Sequence, residues 1–235
     1  MLGADTQGAT GYLFARSLRG CLAERGIDRQ VAAVVTQSLV DPDDPAFAEP
    51  SKPIGSFMDE AEAREHEHRD GWVLREDSGR GWRRVVASPQ PLDILERRVI
   101  GALVDSGCVV VACGGGGIPV RREGAGYVGV EAVIDKDFAS ALLANQLGVE
   151  DFAICTAVDA VSLGYNTPEQ VDLRELTIQE AEKHLAEGQF GKGSMAPKIQ
   201  AAISFLRNGG RRVVITSLAR LRDAVDGRAG TVITR

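Results

Sequence analysis

The sequence lacks any apolar run long enough to span a bilayer, and residues 1–10 contain no basic segment followed by an apolar stretch. We therefore expect neither a transmembrane helix nor a secretion signal. Histidine is scarce, with 3 residues in 235, and none lies beside a Gly-x-Ser-x-Gly sequence or a reactive cysteine. This argues against a Ser or Cys triad. His66, His68 and His184 lie in polar stretches and are expected on solvated faces.

Cysteine is equally sparse, and no CxxC pair occurs. Three of the four cysteines lie in or beside apolar runs; the four are Cys21, Cys108, Cys113 and Cys155. This pattern argues against a zinc site or a disulfide framework. It predicts buried free thiols in a reducing compartment, and hence a cytoplasmic protein.

An excess of basic residues is also absent. The 27 Lys and Arg residues stand against 33 Asp and Glu residues, a net charge of −6. An acidic balance argues against nucleic acid or an anionic membrane as a partner. The 44% of hydrophobic and 26% of charged residues are typical of a globular protein, and 235 residues suit one large domain or two small ones.

Unbroken apolar runs alternate with helical patterns along the chain, which favours an α/β fold with a mostly parallel sheet covered on both faces. The predicted strands cover residues 30–40, 108–113, 152–156 and 211–216. Five helices are predicted. Three are recognised by their caps: one capped by Thr6 and ending near Gly26, one over 138–147 capped by Asp135, and one with the capping box Thr177 and Glu180. Two are recognised by apolar stripes, which are Leu92, Leu95, Val99 and Leu103 in one and Ile199, Ala202, Ile203 and Leu206 in the other.

Residues 47–87 are more polar than their surroundings and are predicted to form an inserted flap in a single domain over 1–235. Within them, the runs 72–75 and 82–86 surround Asp77-Ser78-Gly79-Arg80, a pattern typical of a β-hairpin. The tryptophans of these runs are expected to pack the hairpin rather than to stack on a base.

Three motifs are predicted at the carboxyl ends of strands, where α/β sheets bind ligands. Gly114–Gly117 follows a strand without the Gly-Lys-Ser/Thr of a P-loop. It can turn backbone N–H groups toward an anion, or it can be a tight turn only.

The other two motifs, Asp135-Lys136-Asp137 and Gly193–Lys198, each put a lysine at a helix start. A cation is disfavoured there by the helix dipole, so each lysine is either simply solvated or binds an anionic ligand. Together they indicate a polyanionic substrate such as ATP, with a metal ion.

Five strings occur in one order along the chain: Ser51-Lys52-Pro53-Ile54-Gly55, Arg83–Pro89, Gly114–Pro119, Gly129–Asp137 and Gly193–Lys198. In this combination the chain resembles the carbamate kinases of the amino-acid kinase superfamily, over nearly its whole length. The resemblance implies a three-layer αβα sandwich with a protruding flap, acting as a homodimer. It implies Mg²⁺-dependent phosphoryl transfer between ATP and carbamate, often from carbamoyl phosphate and ADP in arginine fermentation.

The resemblance also implies roles for individual residues. Lys52 would contact carbamoyl phosphate, Lys136 and Lys198 would stabilise the transferred phosphoryl group, and Asp137 would orient these lysines. Four glycines would line the phosphoryl-acceptor side: Gly114, Gly115, Gly116 and Gly117. Three residues would lie near the nucleotide, namely Thr156, Asp159 and Met195, and Lys198 would also contact the nucleotide.

The sequence departs from the family in two ways. The family's N-terminal strand with Gly-Gly-Asn-Ala-Leu and its later His-Gly-Asn-Gly-Pro do not occur, so an N-terminally truncated domain is expected. Ala157, Ser162 and Ala196 stand where the family usually has Asp, Tyr and Gly. Two alternative functions stay open at this point. One is an inactive remnant that retains dimerisation or nucleotide binding, and the other is a sister kinase with another carboxylate acceptor.

Overall fold

The computed structural model of the chain describes residues 2–76, 79–191 and 193–235. In these ranges no helix is long and apolar enough to cross a membrane. The helices are α1 Leu2–Glu24, α2 Glu60–Asp70, α3 Arg97–Asp105, α4 Lys136–Gln146, α5 Ile178–Ala186, α6 Met195–Arg207 and α7 Leu221–Val225.

The strands are short and numerous. They are β1 Val31–Ala33, β2 Gln37–Val40, β3 Lys52–Met58, β4 Leu74–Glu76, β5 Trp82–Val86, β6 Pro91–Ile94, β7 Val109–Val111, β8 Ile118–Glu123, β9 Gly126–Gly129, β10 Asp151–Thr156, β11 Val161–Leu163, β12 Val171–Leu173, β13 Glu175–Thr177, β14 Arg212–Ser217 and β15 Thr231–Thr234.

The chain divides into two compact units, Met1–Lys136 and Asp137–Arg235. In the first unit, β1 and β7 pair in parallel and both contact α1, while α3 packs against β7. A second sheet has the order β6-β2-β8-β9. A third, antiparallel sheet with the order β3-β5-β4 lies within residues 47–87 and is called the flap sheet below. The single domain over 1–235 with a flap insertion stays a prediction.

The second unit is built around the sheet β10-β14-β15-β13. Alternate residues of β14 pack on opposite sides, as expected from the two-residue period of a strand. Val213 and Ile215 join a core with α5 and α6, whereas Val214 packs against Ala224 of α7 and Ala229. This sheet is therefore covered by helices on both faces.

The α/β class is confirmed, and the sheets are several and mixed. Parallel pairs such as β10–β14 and β2–β8 occur beside antiparallel pairs such as β14–β15, β2–β6 and β8–β9. The β8–β9 pair shows why the sequence pattern misses them: a turn at Gly124, with φ of +57°, lets the chain fold straight back on itself. Such a connection needs no crossover helix.

Two predicted helix starts are wrong. α1 already begins at Leu2, so Thr6 lies inside the helix and is not its N-cap. Leu92 lies in β6, which pairs with β2, and α3 begins only at Arg97. The apolar spacing in this stretch reflects a strand followed by a helix, and Pro91 fits the first position of a strand.

The predicted strand 30–40 is interrupted between β1 and β2. At Thr36 the backbone N–H donates to Gln7 Oε1 at 3.0 Å, whereas the carbonyl accepts both from Gln7 Nε2 at 3.2 Å and from the N–H of Ile118, the first residue of β8, at 2.8 Å. The Gln7 side chain from α1 therefore takes the place of a strand partner for the Thr36 N–H.

Other local predictions are confirmed. β4 and β5 form the predicted antiparallel hairpin, with Arg75 opposite Arg83; the predicted turn residues Asp77 and Ser78 lie outside the described residues. α6 follows the predicted apolar pattern, and its inward positions Ile199, Leu206 and Phe205 are fully buried.

The prediction for the cysteines is only partly right. All four are free thiols, and Cys113 is buried, but Cys21 and Cys155 are exposed. Cys155 lies on β10, where Asp151, Ala153 and Cys155 on one face of the strand are exposed while Ile154 on the other face is buried. His66 also differs from expectation, because its ring stacks on Trp72 at 4.2 Å between centroids.

The capping box of α5 offers a test of local stability. The Thr177 hydroxyl accepts from the Glu180 N–H, and the Glu180 carboxylate accepts from the Thr177 N–H at 2.8 Å. The pKa of the Glu180 carboxyl lies below its usual 4.5 because the carboxylate accepts from the Thr177 backbone N–H and also from the Thr177 hydroxyl, at 2.9 Å. A lowered pKa stabilises the fold above the unfolded value, and this contribution is lost as the pH falls. We predict that Thr177→Ala lowers the free energy of unfolding by about 1 kcal/mol at pH 7 and by less at pH 3.

Urea unfolding of the wild type and the variant at pH 7 and pH 3 measures this change in the free energy of unfolding. Thr177→Ser keeps the hydroxyl and serves as the control. An equal loss in the Ser and Ala variants would show that the capping bond contributes nothing.

Candidate active site

A glycine turn follows β7 in the first unit. Cys113 has φ of 54°, Gly114–Gly116 form a 3₁₀ turn, and Gly117 leads into β8. Gly116 has φ of +92°, and a Cβ there would lie 2.2 Å from the backbone oxygen of Ile134. Only glycine can take this position, because both the backbone conformation and the close approach exclude a side chain.

Buried polar side chains support this turn. The Cys113 N–H donates to Thr36 Oγ1 at 3.0 Å, and the Thr36 hydroxyl donates to Gln7 Oε1 at 2.9 Å. Ser38 Oγ donates to the Gly116 carbonyl at 2.6 Å. Thr36 and Ser38 are fully buried. Buried hydrogen bonds of this kind hold backbone in one conformation. Our sequence reasoning missed these residues, although the polar run Thr36–Ser38 inside an apolar stretch was a usable signal.

Burial raises the pKa of the Cys113 thiol to about 11, despite the opposing hydrogen bond to Thr36. The thiol is therefore neutral at physiological pH. A neutral thiol is a poor nucleophile, which argues against covalent chemistry at this cysteine.

A cleft of about 1030 Å³ opens beside the turn within the first unit. Its walls come from α1, the glycine turn, the segment 129–133 and the flap-sheet residues Ile54, Arg84 and Val86. Three of the predicted substrate-binding glycines line it: Gly114, Gly115 and Gly117. The fourth, Gly116, is buried beneath them.

Lys52 begins β3, and its ammonium donates to Asp135 Oδ2 at 2.6 Å. The Lys52 side chain keeps a third of its surface exposed, while the Asp135 side chain is 14% exposed. A lysine held by a carboxylate and still open to solvent can exchange that partner for an anionic ligand. Sequence reasoning assigned Asp135 only a capping role and missed this ion pair.

The second unit holds a more deeply buried ion pair. Lys198, in the first turn of α6, donates to Asp137 Oδ2 at 2.8 Å, and the two side chains are 13% and 8% exposed. Charges withdrawn from water to this degree are stable only when paired. Each group therefore fixes the other. Lys136, the neighbouring residue, is exposed at the start of α4.

A smaller cavity of about 180 Å³ lies in the second unit. Thr156 and Met195, both predicted near the nucleotide, line it together with Ser162 and Phe190. Asp159 is not among the lining residues, although its neighbours Val158 and Ala160 are; its carbonyl accepts from Thr216 Oγ1 at 3.1 Å. Ser162 donates to Asp172 at 2.6 Å, which lowers the pKa of that carboxyl.

The described ranges contain no group of three or more His, Cys, Asp or Glu side chains placed to hold a metal ion. A magnesium ion bound mainly by phosphate oxygens and water needs no such group.

Two neighbouring glycines provide a matched test of the turn. Gly115 has φ of +63° with open space around a Cβ, whereas Gly116 adds the contact with Ile134. We predict that Gly115→Ala costs about 1 kcal/mol through backbone strain alone. Gly116→Ala should cost about 3 kcal/mol, because overpacking is added to the strain. Denaturant unfolding of the two variants gives the difference, and equal losses would contradict the geometry of the turn.

The comparisons with known proteins agree with one another. The model of the amino acid kinase family matches residues 55–217. A carbamate kinase from Pyrococcus horikoshii is 46% identical, with 99% of this chain and 74% of that protein covered. Carbamate kinase 3 from Staphylococcus aureus is 49% identical, with 98% and 75% covered.

The structural comparison points the same way. A carbamate kinase from Giardia lamblia, solved bound to AMP-PNP, superposes with a TM-score of 0.89 at 41% identity. The match covers 99% of this chain and 74% of that one. With identities of this size over nearly its whole length, the chain belongs to the amino acid kinase family and, within it, to the carbamate kinases.

Proposed function

We propose that this chain catalyses reversible phosphoryl transfer between carbamoyl phosphate and ADP, which yields carbamate and ATP. The observation that carries the proposal is the buried pair of Lys198 and Asp137, which holds a cation at the start of α6. A helix N-terminus with an added ammonium is suited to an anionic ligand such as a phosphoryl group.

The reaction demands charge and position more than acid–base chemistry. A β-phosphate oxygen of ADP attacks the phosphorus, the bond from phosphorus to the carbamate oxygen breaks, and carbamate leaves as an anion. No proton has to move. Positive groups fixed around the phosphoryl oxygens therefore supply most of the catalysis.

Lys198 meets this demand in the proposal. Its ammonium gives one N–H to Asp137 and has two more for phosphoryl oxygens. Asp137 orients the ammonium and does not act as a base. Lys136, next to Asp137 in sequence and exposed, is proposed to contact the same phosphoryl group.

Lys52 is proposed to bind carbamoyl phosphate by exchanging Asp135 for the substrate phosphate. The glycine turn at 114–117 is proposed to line the phosphoryl-acceptor side. The N–H groups of Gly116 and Gly117 are bonded to carbonyls within the turn, so the approach of an anion is proposed at Gly114 and Gly115, which line the cleft and carry no side chain.

The nucleotide is proposed to bind near Thr156, Asp159 and Met195, two of which line the smaller cavity. The relative from Giardia lamblia was solved with AMP-PNP, which supports ATP and ADP as the nucleotides. Mg²⁺ is proposed to arrive with the nucleotide as part of the substrate, where it would neutralise phosphate charge.

The proposal has further parts that rest on family resemblance. These are a homodimer, a cytoplasmic location, and a role in arginine fermentation with net flow toward ATP. The alternatives of an inactive remnant and of a sister kinase are not favoured, because relatives at 46% and 49% identity are named carbamate kinases.

The test is ATP formation from ADP, Mg²⁺ and carbamoyl phosphate by the purified chain. We predict that Lys198→Met lowers kcat at least about 100-fold, since one preorganised donor in a phosphoryl site is worth this much. Lys52→Met should chiefly raise KM for carbamoyl phosphate. Lys183→Met, which alters an exposed lysine on α5, is the matched control and should retain full activity.

Thermal melts of all three variants separate lost chemistry from lost folding. Full activity in a folded Lys198→Met variant would contradict the assigned role, and wild-type protein that is folded but inactive would contradict the proposed function.

A further inference from the structure

Lys52 shares one face of the flap sheet with Arg84. In the antiparallel pairing of β3 and β5, Lys52 lies opposite Val86 and Ile54 lies opposite Arg84. Residues two apart on a strand point to the same side, so these four side chains form one row. Ile54, Arg84 and Val86 also line the large cleft, which shows the side to which the row points.

This face is attached to residues 131–135 at both ends. Arg84 pairs with Glu131, and Lys52 pairs with Asp135 at 2.6 Å. Between these ion pairs, Ala87 forms a bridge with Ala132 and accepts from the Val133 N–H at 2.9 Å. The segment 131–135 leads directly into Lys136, the first residue of α4.

Arg84 is itself held in place by an aromatic ring. Its guanidinium lies 4.8 Å from the centroid of Trp72, and His66 stacks on the same tryptophan at 4.2 Å with an angle of 2°. A planar guanidinium can stack on a ring and bind a carboxylate at once, which an ammonium cannot do equally well. Arg84 thus joins the flap aromatics to Glu131.

We propose that Arg84 is a positioning residue for the phosphoryl-transfer reaction: its pair with Glu131 holds the flap sheet in register so that Lys52 reaches the phosphate of carbamoyl phosphate. The proposal rests on the role assigned to Lys52 above. Lys52 pairs with Asp135 at one end of this face, and Arg84 pairs with Glu131 at the other. When the substrate draws Lys52 from Asp135, the Arg84–Glu131 pair still ties the face to residues 131–135.

The experiment measures KM for carbamoyl phosphate, KM for ADP and kcat in three variants. Arg84→Ala removes both contacts of the guanidinium, and Glu131→Gln removes only the ion pair at an exposed carboxylate, so that it spares folding. Arg83→Ala is the matched control, because Arg83 stacks on Phe57 and bonds to the Gly55 carbonyl on the other face of the strand.

We expect Arg84→Ala to raise KM for carbamoyl phosphate about tenfold while KM for ADP stays constant. Glu131→Gln should also raise KM for carbamoyl phosphate, by a smaller factor. Arg83→Ala should leave it unchanged. No effect of Arg84→Ala and Glu131→Gln, or an equal rise of both KM values, would overturn the proposal.

A second measurement tests whether Arg84 acts through Lys52. In the Lys52→Ala background, Arg84→Ala should produce no further loss of carbamoyl phosphate affinity. If the double variant instead lost affinity by the product of the two single-variant factors, Arg84 would contact the substrate independently of Lys52, which overturns the positioning role.

Binding is read by tryptophan fluorescence, which does not depend on turnover. The chain has 2 tryptophans, Trp72 and Trp82, and both lie in the flap region. Inactive protein with the expected pattern of dissociation constants would reject the proposed function but support the role of Arg84. Unchanged affinity in Lys52→Ala would reject the role of Lys52 and, with it, this inference.

Discussion

The buried ion pair of Lys198 and Asp137 is the constraint on which the chemistry of this protein depends. A lysine at the start of a helix is opposed by the helix dipole, and burial adds a cost of desolvation. Asp137 offsets both, at 2.8 Å from the ammonium. A buried ammonium in this unfavourable position indicates that its positive charge binds an anionic ligand. A phosphoryl group in transfer, with its charge spread over three oxygens, provides that use.

The first unit also contains an unfavourable local arrangement that its surroundings stabilise, in this case a backbone conformation and not a buried charge. The turn at 113–117 contains one non-glycine residue in a left-handed conformation and a glycine that no other residue can replace. Such a turn persists only when its surroundings determine it. Thr36, Gln7 and Ser38 do this through buried hydrogen bonds, and the interruption between β1 and β2 is the structural consequence.

The sequence was sufficient for the features that short patterns control. The capping box at Thr177, the apolar stripe of α6 and the β4–β5 hairpin depend on neighbouring residues and were predicted. The contacts of Gln7 with Thr36, of Lys52 with Asp135 and of Arg84 with Glu131 join residues 29, 83 and 47 positions apart, and no local pattern encodes them. Leu92 was misassigned because the apolar spacing of a strand followed by a helix imitates a single helical stripe.

The most direct test concerns Asp137, whose proposed role is to orient the Lys198 ammonium without transferring a proton. The measurement is the pH profile of kcat for Asp137→Asn beside wild type, with melting curves to confirm folding. We expect kcat of the variant to be reduced by a constant factor at every pH, with the shape of the profile retained. Loss of the acidic limb of the profile in the variant would identify Asp137 as a base and contradict the orienting role.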